Sequence, residues 1–132
     1  MELALAAAGV IVLLLLGLLA TYLLTHRTPS RTDRERIRHA WGHVARQSDP
    51  ALRVLEAEKV FALLLACWGG HRPVADGLRD AAWRFSDIEA LWRAHKLRNR
   101  IAHEPGLHVS PEEAERAIRT FKVAIERHTG TL

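Results

Sequence analysis

Hydrophobic and polar positions divide the chain into one long apolar block and a series of periodic segments. Residues 3–24, LALAAAGVIVLLLLGLLATYLL, contain no charge. As a helix this block would span about 33 Å, enough to cross a hydrocarbon core of about 30 Å. A cleaved secretory signal is the competing reading. Against it, Glu2 but no Lys or Arg precedes the run, the run is longer than an ordinary signal core, and no Ala-x-Ala site follows. The block therefore reads as an uncleaved transmembrane anchor over residues 1–25.

A short polar linker, residues 26–31 with Pro29, leads into five helical patterns over residues 32–132. Thr32-x-x-Glu35 predicts the first start as a capping box, and Ile37, Ala40, Trp41 and Val44 form one stripe. Asp49-Pro50 predicts the second, running to Trp68 and stopping at Gly69-Gly70. Its centre, Val60 to Trp68, is apolar all round, as in the central helix of a bundle. A short third helix begins near Pro73 and carries Gly77, which weakens it by about 1 kcal/mol relative to Ala. Ser86-x-x-Glu89 predicts a fourth, to about His103, before Glu104-Pro105-Gly106. Ser110-Pro111-Glu112-Glu113 predicts the fifth, with a stripe from Ala114 to His128 and Gly130 after its end. No strand pattern is present and the connections are short. The expectation is an all-α protein: a transmembrane helix followed by an up-and-down bundle of about five helices.

Charge adds an orientation. Arg27, Arg31, Arg34, Arg36 and Arg38 follow the span and no basic side chain precedes it, which predicts the N-terminus outside and the C-terminal domain in the cytoplasm, at an inner membrane. The single cysteine, Cys67, excludes a disulfide framework within one chain and suits a reducing compartment. It reads as a small buried hydrophobe. Tyr22 is placed as an interfacial anchor, and Gly17 with Thr21 as a small-residue pair suited to helix pairing in the bilayer. Beyond Glu2 the chain has 19 basic residues, 16 of them Arg, against 14 acidic ones. That excess suits anionic lipid head groups and RNA equally. Glu35, His39 and His43 share a spacing that can hold a metal, but they lie opposite Trp41 and Val44 on a solvated face. No metal and no cofactor is expected.

The fourth helix carries the candidate chemistry. Its wheel places Ile88, Leu91, Ala94, Leu97 and Ile101 on one apolar arc, yet His95, Arg98 and Asn99 fall inside it and His103 at its edge. A buried Arg demands a partner or an anion. Two readings follow: Arg98 pairs with Glu56 or Glu58 of the second helix, or Arg98, Asn99 and His103 form an anion and proton-transfer site.

The run Arg98-Asn99-Arg100-Ile101-Ala102-His103 resembles the Arg-x4-His motif of HEPN (higher eukaryotes and prokaryotes nucleotide-binding) domains, and the resemblance extends roughly from Leu52 to Ile125. It implies a HEPN-like helical bundle, a homodimer, and RNA or nucleotide as ligand. It also implies metal-independent RNA cleavage by attack of a 2′-hydroxyl on the adjacent phosphate. The catalytic residues implied are His103 moving the proton, Arg98 stabilising charge on phosphorus and Asn99 orienting the phosphate or His103. A dimer would bring two His103 side chains together as base and acid. The alternative class is a non-enzymatic, membrane-anchored interaction or scaffold protein, in which Arg98 and His103 only hold the bundle together.

Overall fold

The computed structural model describes the backbone of all 132 residues, and the side chains of all but residues 2–5 and 25. It is all-helical, with no strand among the described residues. The elements are α1 (Glu2–Thr25), α2 (Arg31–Arg46), α3 (Pro50–Gly69), α4 (Val74–Ala81), α5 (Ile88–His103) and α6 (Pro111–Thr129), with a 3₁₀ turn at Ala82–Arg84.

Within α1, Ala6–Leu24 is long and apolar enough to cross a membrane, and none of it is buried. A signal sequence meets the same criterion. The remaining five helices pack as one bundle. As the all-round apolar pattern predicts, α3 is central and touches α2, α4, α5 and α6. Its Phe61 is fully buried, with ring centroids 5.3 Å from Phe121 of α6 and 5.5 Å from Phe85 beyond the 3₁₀ turn. Such tilted aromatic contacts add to area burial, so these three rings tie together segments far apart in sequence.

Two helix starts differ from the predicted ones. The cap of α2 is Ser30, not Thr32: its Oγ accepts from Asp33 N at 3.1 Å, and Asp33 Oδ2 accepts from Ser30 N at 3.1 Å. These Ser30 bonds, side chain first and backbone second, hold the Asp33 carboxyl below the ordinary carboxylate range. In α5 the cap is Asp87, whose Oδ1 accepts from Ala90 N at 2.9 Å, instead of Ser86. Asp49 and Ser110 cap α3 and α6 as the sequence predicts. Both helices stop at a glycine with positive φ, Gly70 at 71° and Gly130 at 85°, backbone that residues with a Cβ avoid. Gly77 has a packing reason: it is buried, and a Cβ there would meet Leu65 Cδ1 at 3.0 Å.

Candidate functional site

As the helical wheel predicts, His95, Arg98 and Asn99 of α5 point to the side where its apolar residues pack. The i, i+3, i+4 spacing puts all three on one side of the helix. The carboxylate they meet is Glu58 of α3, only 4% exposed. Glu58 Oε1 lies 2.6 Å from His95 Nδ1 and Oε2 lies 2.8 Å from Arg98 Nε. The Arg98 contact is an ion pair off hydrogen-bond alignment, since Nε makes no aligned bond. Asn99 Nδ2 lies 3.1 Å from His95 Nε2, and Arg98 Nη1 donates to Asn99 Oδ1 at 3.3 Å. The four side chains therefore close a ring.

Donor and acceptor chemistry fixes the direction of each bond. A carboxylate only accepts, so Nδ1 of His95 carries the proton it gives to Glu58. The Asn99 amide NH₂ only donates, so Nε2 of His95 accepts. Arg98 only donates, which turns the Asn99 carbonyl oxygen toward it and settles which way the amide points. Each of the four side chains has a partner in the ring, with the Arg98 Nε–Glu58 contact held by charge without an aligned hydrogen bond, and this pairing is what allows a carboxylate and a histidine to sit inside an apolar bundle.

The pairing of Arg98 is with Glu58, one of the two acids proposed from the sequence. Its side chain remains 30% exposed, so it closes the buried ring and still reaches the surface. Asn99 is half-buried. His103 stands apart: it is exposed, the last residue of α5, and no hydrogen bond, ion pair or ring contact joins it to Arg98 or Asn99 among the described residues. The structure thus assembles Arg98 and Asn99 and leaves His103 free to solvent one turn further on. What sequence reasoning missed is that His95 belongs with them. Its place on the apolar arc was the available signal. No candidate metal cluster occurs among the described residues.

A second polar–aromatic cluster escaped the sequence reading altogether. The Arg84 guanidinium lies 4.3 Å from the ring centroids of both Trp68 and Trp83. Burial lowers the Arg84 pKa below the usual arginine value. His128 packs edge-on to Trp68 at 4.9 Å and Phe85 at 5.7 Å. Desolvation, with help from the charges of Arg84 and Arg127, lowers its pKa, and a hydrogen bond to the Arg84 backbone opposes that shift. Cys67 is half-buried; desolvation pushes its thiol pKa up, and Sγ donates to Leu63 O at 3.3 Å.

Comparison with protein-family models, with curated proteins and with solved structures finds no match to this chain.

Proposed function

We propose that the chain is a single-pass membrane protein, N-terminus outside, whose cytoplasmic bundle is a HEPN-like module that binds RNA and, as a dimer, cleaves it without metal. The supporting observation is the exit of α5. Arg98 is held by Glu58 and Asn99 yet exposed on its outer edge, and the exposed His103 follows within about 7.5 Å of helix rise. A guanidinium fixed on one side and open on the other is pre-organised for a phosphate. In the dimer, His103 of one copy takes the proton of the RNA 2′-hydroxyl as its oxygen attacks phosphorus. His103 of the other gives a proton to the departing 5′-oxygen, leaving a 2′,3′-cyclic phosphate. Arg98 meets the charge that develops on the phosphoryl oxygens.

The full chain in detergent should cut RNA in EDTA. His103→Ala should abolish cutting with little change in melting temperature. A reporter fused after Leu132 should be active in the cytoplasm; periplasmic activity overturns the orientation.

A second reading, a non-enzymatic membrane-anchored interaction module, is favoured by one specific observation: the charge nearest Arg98 is Glu58 of its own bundle. On that reading no RNA is cut or bound, and Arg98→Ala acts through stability alone.

A further inference from the structure

The end of α1 and the bundle flank an open cleft of about 280 Å³, lined by Leu24, Trp68, Arg72, Trp83 and Arg84 among others. Leu24 ends the apolar stretch Ala6–Leu24. If α1 crosses a bilayer, as proposed above, this cleft lies at head-group depth. Three observations describe what it would hold.

The first is an unneutralised cation. Arg72 is paired with Asp80 at 2.7 Å, but Arg84 has no carboxylate partner among the described residues. It is half-buried, with both indoles 4.3 Å away. A desolvated guanidinium without an anion is costly, and a phosphate matches its fork. The second is the ring chain that leads to it. Tyr22 lies 4.3 Å from His26, and His26 lies 5.1 Å from Trp83. Trp83 is 58% exposed although large and apolar. Aromatic side chains of this kind settle at membrane–water interfaces, where one end is dry and the other wet. The third is docking of the intervening strand of chain. Trp68 Nε1 donates to Arg27 O at 2.8 Å and Pro29 is buried, so the membrane end of the bundle is tied to the span.

We propose that this cleft is a binding site for the phosphodiester of an anionic glycerophospholipid, with Arg84 as its counter-charge, Trp83 against the glycerol region and Leu24 against the start of an acyl chain. The ligand charge follows from the local balance. Arg72 and Asp80 cancel, leaving one positive charge at Arg84. A singly anionic head group neutralises it. A phosphocholine head group does not, and its cation would meet indoles that Arg84 already covers.

The site is testable in the full chain, reconstituted in nanodiscs of phosphatidylcholine containing phosphatidylglycerol. One lipid at a time carries brominated acyl chains, which quench nearby tryptophan. Comparison with Trp83→Phe isolates the share of emission that comes from Trp83. Brominated phosphatidylglycerol should quench that share about fivefold more per lipid than brominated phosphatidylcholine, the preference one Arg earns at an anionic surface. Arg84→Gln should remove the preference, and Arg119→Gln, on α6, should keep it. Equal quenching of the unmodified chain by the two lipids overturns the site, and that comparison needs no variant to fold. Loss of the preference on adding inorganic phosphate assigns the site to free phosphate and overturns the lipid. Alkaline extraction separates the two levels. A chain that resists extraction but shows no preference overturns this site alone, whereas a chain released by alkali overturns the anchor and this site with it.

Discussion

Glu58 is the residue on which the α3–α5 contact turns, because a carboxylate 4% exposed is tolerable only while His95 and Arg98 both face it. Arg98→Ala should cost about 2–3 kcal/mol, less than breaking a fully buried pair because Arg98 reaches solvent. Replacing Glu58 and Arg98 together by Leu should cost less than the sum of the two single losses, since no buried charge is then left alone and what remains is the His95 Nδ1–H without its acceptor. Chemical denaturation of the single and double variants measures the coupling; purely additive losses would contradict the ring. Exposed His103 should change stability by less than about 0.5 kcal/mol when replaced by Ala. His128 makes a pH prediction. Its native pKa is lowered from 6.5, so the unfolded chain binds the proton more tightly. Its contribution is therefore complete above about pH 6.5 and lost as pH falls below that toward the depressed native value. As pH falls from about 7 to 5, the melting temperature of the parent should drop relative to that of His128→Phe, which has no proton to take up on unfolding there. A constant separation would show that His128 does not titrate differently on folding. The three polar side chains of α5 were legible in the sequence because helical periodicity exposes an intruder on an apolar arc. Glu58 was not singled out from Glu56, because choosing between them needs the rotation of α3 against α5, which periodicity within one helix does not contain.

At the scale of elements, helix identity followed from the pattern and helix starts did not always. Two capping boxes overlap before α2, Ser30-x-x-Asp33 and Thr32-x-x-Glu35, and local chemistry allows either. The earlier one is used, and its neighbourhood supplies a reason. Pro29 is buried and Arg27 O accepts from Trp68 of α3, so the entering chain is already placed when it reaches Ser30. Glu35, released from a cap role, pairs with Arg31 at 3.1 Å on the exposed face. Ser30→Ala should cost about 1 kcal/mol, and Thr32→Ala less than about 0.5 kcal/mol. The reverse ranking in thermal unfolding would restore the later start. Gly77 teaches a related point. Its helix-weakening effect is visible in sequence, but the side chain of Leu65 that needs the missing Cβ belongs to another helix.

For the whole molecule, the junction between the apolar helix and the bundle decides how the α5 end is presented. A loose tether would let the domain tumble. The structure has a docked one: Trp68 holds the Arg27 carbonyl, Pro29 is buried, and His26 lies against Trp83. None of this is readable from the linker alone, since every partner comes from the α3 end or the 3₁₀ turn. Because Trp68 also lies under Arg84 and beside His128, its indole joins the linker, α3, the 3₁₀ turn and α6 through one side chain. Trp68→Phe keeps an aromatic ring but removes the N–H together with the pyrrole half of the indole. The lost hydrogen bond is worth about 1 kcal/mol, so local opening of residues 26–31 should rise about fivefold. Hydrogen exchange of the full chain in detergent should therefore quicken in the linker and in the first turn of α2 while the centre of α3 stays protected. If exchange quickens uniformly, Trp68 acts through the core and the junction is not a separate unit. If only the linker responds, the orientation of the bundle on α1 depends on the Trp68 indole, and Trp68→Phe should also weaken any activity that requires two copies to meet at α5.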